Sequence, residues 1–235
     1  MTLDEIMQAL AAKARATTKK TLLRHGAPEP LFGVRIGDMK PIQKQIKGDQ
    51  ALAMQLYATG NSDAMYLAGL VADGRKMTRA QIERWVKQAT WQMISGTTVP
   101  WVASEHPDSI DISLKWIDSP KEPIAVCGWA TLSNVVTTTP DEKLPVKQIG
   151  ALLARVVKTI HTSQNLVRYA MNNFVICCGT YVAPLAEKAL AAARKIGVIE
   201  VDMGKTDCQV PDAASYIIKS RRGLPVAPKR KTTRC

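Results

Sequence analysis

The feature that most constrains this chain is a run of short amphipathic segments arranged in pairs. Near the middle, Thr78 and Gln81 form a capping-box pattern, and Ile82, Trp85, Val86 and Ala89 follow at helical spacing. A second segment begins at Trp91 and sets Ser95 four residues on, on the same helical face. The plan recurs as 49–59 with 62–73, 108–117 with 122–137, and 143–162 with 163–178, and a last clear segment covers 182–196. Successive pairs start roughly 29 to 39 residues apart, which overlaps the periods of two-helix solenoid repeats. Segments this short cannot bury an apolar stripe alone. Leu52, Leu56, Leu67, Leu70 and Val71 must face neighbouring helices and build a shared core. The expected fold class is therefore all-α, an α-solenoid of antiparallel helix pairs. Only 198–202 reads as extended, leading into an irregular stretch at 203–211.

Toward the N-terminus, Thr2 and Glu5 open a first helix with Leu3, Ile6, Met7 and Leu10 on its apolar face. A short second helix at 21–25 is expected to end at Gly26, and Pro28, Pro30, Gly33 and Gly37 mark 27–37 as a loop. Asp38 is then expected to cap a helix carrying Ile42 and Ile46. A last short helix is expected at 212–221. The 235 residues, 46% of them hydrophobic, suffice for a sizeable core, so 1–222 is read as one helical-repeat domain. The remainder, 223–235, is basic and broken by Gly223, Pro225 and Pro228, and is expected to be a flexible tail.

Charge narrows the function more than any motif does. The formal net charge is +12, which favours a polyanionic partner, and nucleic acid over membrane because no basic amphipathic anchor stands out. Nine basic residues face two acidic ones between 13 and 47, and the tail from Lys219 to Arg234 has no acid at all. Solvated surface is one reading of these charges; an arm tracking phosphates is the other. No apolar run is long enough to cross a membrane, and Asp4 and Glu5 stand where a signal peptide would be positive, so the cytoplasm is the expected location. The odd count of five cysteines points to reduced thiols, and the spacing of Cys177, Cys178, Cys208 and Cys235 does not suit a zinc site. His25, His106 and His161 lie in unrelated contexts, and no nucleophile–base set, Walker or Rossmann signature is present; neither metal nor cofactor is expected. Trp85, Trp91, Trp101, Trp116 and Trp129 cluster in the central third, either as core or as a stacking surface for nucleic acid.

The segments LAMQLYATGNSDAMYLAGLVAD, TWQMISGTTVPWV and VRYAMNNFVICCGTYVAPLAEKAL, and the paired pattern from about residue 30 to 200, resemble the HEAT-like-repeat DNA alkylation repair proteins. The resemblance implies an armadillo-type superhelix whose concave face cradles duplex DNA. Its active members release cationic N3- and N7-alkylated purines without flipping the base into a pocket. Such a base is already a good leaving group, so the enzyme need only stabilise an oxocarbenium-like sugar and place a water; aromatic faces favour the cation and a carboxylate supplies charge. In the family motif a Trp precedes the catalytic Asp by four positions. Here Trp91 matches the Trp, but Ser95 holds the Asp position. The expected Arg falls near 127–129, which has no basic residue, and a second cleft Trp falls near Asn173. Glu105 or Asp108 could substitute as the carboxylate. The candidate cleft residues are thus Trp91, Ser95, Glu105, Trp129 and Asn173, and the candidate DNA contacts are Arg35, Lys40, Lys44, Lys47, Arg168, Lys229, Arg230, Lys231 and Arg234. The resulting expectation is a monomer that binds duplex DNA, alkylated or otherwise altered, with weak, altered or absent glycosylase activity. A non-enzymatic helical scaffold for protein–protein interaction is the alternative.

Overall fold

The computed structural model describes residues 1–234, among which there are thirteen α-helices and no strand. The Cys235 thiol, grouped above with the other reduced cysteines, lies outside the described residues. Cα packing gathers the chain into two compact units, residues 1–108 with 204–206 and Arg234, and residues 109–203 with 207–233.

The first unit contains α1 (Leu3–Ala11), α2 (Ala16–Arg24), α3 (Ile36–Gln45), α4 (Gln50–Ala58), α5 (Ser62–Val71), α6 (Arg79–Gln88) and α7 (Val99–Ala103). Both expected capping boxes are present: Glu5 and Gln81 exchange hydrogen bonds with Thr2 and Thr78, each cap being worth about 1 kcal/mol. Gly26 takes the left-handed φ of 83° expected after a helix, although α2 begins five residues earlier than its apolar pattern suggests. Asp38 does not cap α3. That helix starts at Ile36 after Arg35, without a side-chain cap. Asp38 is thus the third residue inside the helix, past the capping position, and its carboxylate accepts instead from Arg35 Nε at 2.9 Å and Arg15 Nε at 3.4 Å. The Arg35 hydrogen bond holds this carboxyl below its ordinary value.

α5 is the axis of the unit: all ten of its residues are buried. Burial forces its polar N-terminus to find partners. Asn61 accepts from Asp63 N–H and Ala64 N–H, and the Asp63 carboxylate accepts from the backbone N–H groups of Phe32, Gly33 and Val34 at 2.6, 3.0 and 2.9 Å. One carboxylate at a helix N-terminus thereby fixes the 32–34 stretch of the loop. Tyr57 on α4 stacks on Trp85 of α6 with ring centroids 3.8 Å apart and donates its hydroxyl to the Trp85 carbonyl at 2.7 Å.

The second unit contains α8 (Ser109–Trp116), α9 (Glu122–Thr138), α10 (Val146–Thr159), α11 (Asn165–Tyr181), α12 (Ala186–Ile196) and α13 (Ala213–Arg221). Trp129 of α9 and Phe174 of α11 meet at 5.2 Å in its core. Past Gly223 the chain returns over the ends of these two helices. Ala227 N–H donates to Thr180 O, Arg230 N–H to Thr137 O, and Lys229 Nζ to Val136 O, which satisfies carbonyls that a helix end leaves open.

α8 and α9 approach closely because α9 carries Gly128. A Cβ there would stand 2.7 Å from the Ile117 backbone nitrogen and 2.9 Å from Ser113 O, neither of which can swing away. Gly128→Ala is therefore expected to cost about 1–3 kcal/mol despite the better helix propensity of alanine. Chemical denaturation of the two proteins checks it, and equal midpoints would mean that α8 yields freely.

Candidate functional site

The site picked out by the sequence begins where α6 ends. Trp91 stands at a bend, and its carbonyl accepts from the N–H groups of Ile94 and Ser95. The backbone then widens into a π-helical turn, Ile94–Thr98, before continuing as α7. Such turns insert one residue into the helical ladder and recur at functional sites. Trp91 and Ser95 are brought together as their spacing predicts, but the serine is 1% exposed and its hydroxyl donates to Trp91 O at 3.1 Å. A hydroxyl this deeply buried has little access to a water. The Trp91 ring is 6% exposed, and among the described residues its indole N–H has no partner.

Glu105, the possible substitute carboxylate, is also engaged. Its Oε2 accepts from Gly74 N–H at 2.9 Å and from Arg234 Nη2 at 2.6 Å. Around this pair lies a cleft of about 400 Å³ that also takes in Lys44, Lys47, Asp73 and Arg75. Four cations thus face two carboxylates. Asp73 is held below its ordinary value chiefly by the hydrogen bond from Arg75. The structure therefore joins four residues named from sequence, Lys44, Lys47, Glu105 and Arg234, in one basic recess. Arg75 was missed, because an Arg next to Asp73 reads as a local surface pair.

The other candidates fall elsewhere. Arg35, ion-paired to Asp38, and Lys40 lie exposed on or beside α3. In the second unit Trp129 is fully buried in the core, the first of the two readings of the tryptophan cluster, so its place among the cleft candidates is corrected. The Arg155 guanidinium stands 5.7 Å from its ring centroid and pairs with Asp118 at 2.7 Å. α10 thus supplies an arginine to a segment that has none of its own, a placement that only packing reveals. Asn173 is exposed, and Arg168 donates to Asn165 Oδ1. Lys229 is paired with Asp141 at 2.8 Å, while the side chains of Arg230 and Lys231 are exposed. Burial pushes the Cys127 and Cys178 thiols well up, which makes them poor nucleophiles. Among the described residues no cluster of three His, Cys, Asp or Glu side chains could hold a metal, and no single helix is long and apolar enough to cross a membrane.

Comparison with known proteins agrees with this architecture. The family model for DNA alkylation repair enzymes matches residues 6–217. The uncharacterized proteins Lin0241 of Listeria innocua and Lmo0209 of Listeria monocytogenes are 35% and 34% identical over 227 residues, which is 94% of this chain and 98% of each relative. A solved structure, described as a new family of proteins related to the HEAT-like repeat DNA glycosylases with affinity for branched DNA structures, superposes over 100% of both chains. Its TM-score is 0.91 and its sequence 37% identical. The chain has the all-α, HEAT-like repeat fold and belongs to the DNA alkylation repair enzyme family.

Proposed function

We propose that this protein binds DNA through its phosphates, favours duplexes that are interrupted or branched, and releases alkylated purines weakly or not at all. The observation that carries the reading is the basic recess of Lys44, Lys47, Arg75 and Arg234, bordered by helix α3, which also bears Lys40. Cations so arranged suit a phosphate backbone and carry no base readout. The affinity of the solved relative for branched DNA supports the preference for interrupted duplexes. Ser95, buried and hydrogen-bonded to Trp91 O, supports the loss of catalysis.

The test is salt dependence. With about six phosphate contacts, log K should fall against log salt with a slope of about −5, and a four-way junction should bind more tightly than a linear duplex of equal length. Replacing Lys44 and Lys47 together by Ala should flatten the slope by about two. Binding that ignores salt, or a slope untouched by the double substitution, would refute the recess as the anchor. Capture of an acidic protein in place of DNA would favour a scaffold.

A further inference from the structure

We propose that the cavity beneath Trp91 seats one unpaired nucleobase at a DNA bulge or branch, an inference that rests on the DNA-binding reading above. The cavity lies wholly within the first unit and measures about 270 Å³. Small-molecule sites generally run from about 300 to 1,000 Å³, so this one has room for a single heteroaromatic ring system and not for a whole nucleoside. Leu22, Val34, Met39, Tyr66, Trp91 and Met93 form most of its wall. Two aromatic rings and two thioethers make a surface on which any base can stack, because every base has a π-face.

Three observations favour a base over an alkyl side chain. First, the buried Trp91 indole N–H has no partner among the described residues. A buried donor left unsatisfied is destabilising, and a base edge supplies ring nitrogens and carbonyl oxygens where an alkyl chain supplies none. Second, the carboxylate in the wall is spent. Asp63 accepts three backbone N–H groups, and Arg35, the other charged residue in the wall, is paired with Asp38, so the cavity suits a neutral ligand better than a cation. Third, the helices that form the rim are basic. α2 contributes Thr18 and Leu22 to the wall and carries Lys19, Lys20 and Arg24, while α3 contributes Met39 and carries Lys40 and Lys44. A base entering here would bring its flanking phosphates toward Arg35, which lines the cavity, and Lys40, exposed on the next turn of α3. Bulged and branch-point bases are already unstacked, so their entry costs little. This seat differs from the mode that the family resemblance implies, in which the lesion is not flipped into a pocket.

The experiment compares three labelled DNAs: a duplex with one bulged 2-aminopurine, the same duplex with a bulged abasic site, and the fully paired duplex. The wild type should bind the base bulge about tenfold more tightly than the abasic bulge, with a change in 2-aminopurine emission on binding. Leu22→Trp, which fills the cavity from α2, should abolish that discrimination while salt-dependent binding of paired duplex remains. Should Leu22→Trp fail to fold, Trp91→Phe, which keeps a ring and deletes the N–H, should cut the discrimination several-fold. Equal affinity of the wild type for both bulges, with paired-duplex binding intact, would overturn the seat and spare the DNA reading. Absence of salt-sensitive binding to all three DNAs would remove the DNA reading and the seat with it.

Discussion

On duplex DNA carrying N7-methylguanine or N3-methyladenine, the protein is expected to release less than about one hundredth of the base freed by a family member with a carboxylate at the position of Ser95. As the base leaves, positive charge grows on the sugar, and only an interaction stronger in that state than in the ground state speeds the step. A fixed negative charge does this; a neutral hydroxyl does so weakly, and the hydroxyl of Ser95 is already donated to Trp91 O. Losing one such electrostatic partner costs about 3–4 kcal/mol, or two to three decades in rate. Glu105 cannot easily take over, since Gly74 N–H and Arg234 hold its Oε2. Single-turnover release, quantified by chromatography of the free base, checks this. Robust release would overturn it, and Glu105→Gln would then show whether that carboxylate is responsible. Inserting the carboxylate by Ser95→Asp is not expected to restore release. The site is 1% exposed, so the new group would be driven toward its neutral form and would lower stability as pH rises through the carboxylate range.

What the sequence discloses here follows the range of the forces involved. The capping boxes of Thr2 with Glu5 and Thr78 with Gln81 act over three residues and were readable as written. So were the buried faces of α1 and α6, because Ile6, Leu10, Ile82, Trp85 and Val86 repeat at helical spacing. Asp38 failed as a cap because the helix begins two residues ahead of it, at Ile36, a boundary that propensity does not decide. The π-helical turn after Trp91 left no trace in the apolar pattern, so Ser95 could be placed beside Trp91 but its hydrogen bond could not be foreseen. Trp129 shows the limit most plainly. An indole suits a core and a cleft equally well, and only the arrival of Phe174 and Arg155 from other helices decides between them. The recess of Lys44, Lys47, Arg75 and Arg234 likewise unites residues far apart in the chain; their charge was legible, their meeting point was not.

The largest expected loss of stability comes from a residue that carries no motif. Asp63→Ala should destabilise the protein by about 3–5 kcal/mol, because it removes one acceptor group and leaves three N–H donors in the loop without it. Gly33 N–H and Val34 N–H are both on buried residues, and Phe32 N–H is half-buried, so water replaces the carboxylate poorly. The loop cannot simply move off. Gly33 sits at φ 81° with its α-carbon pressed toward the Lys19 backbone, and Ser62 N–H holds Pro30 O at 3.0 Å from the other side. For a chain of this size, such a loss corresponds to a fall in Tm of about 10 °C. Asp63→Asn should fall between Ala and wild type: one oxygen still accepts, but the amide nitrogen faces N–H groups as a second donor. Thermal denaturation of the three proteins decides the matter. If Asp63→Ala melted within about 2 °C of the wild type, its three hydrogen bonds would be replaceable by water and the loop would have to be held by its apolar contacts, Leu31 and Val34, instead.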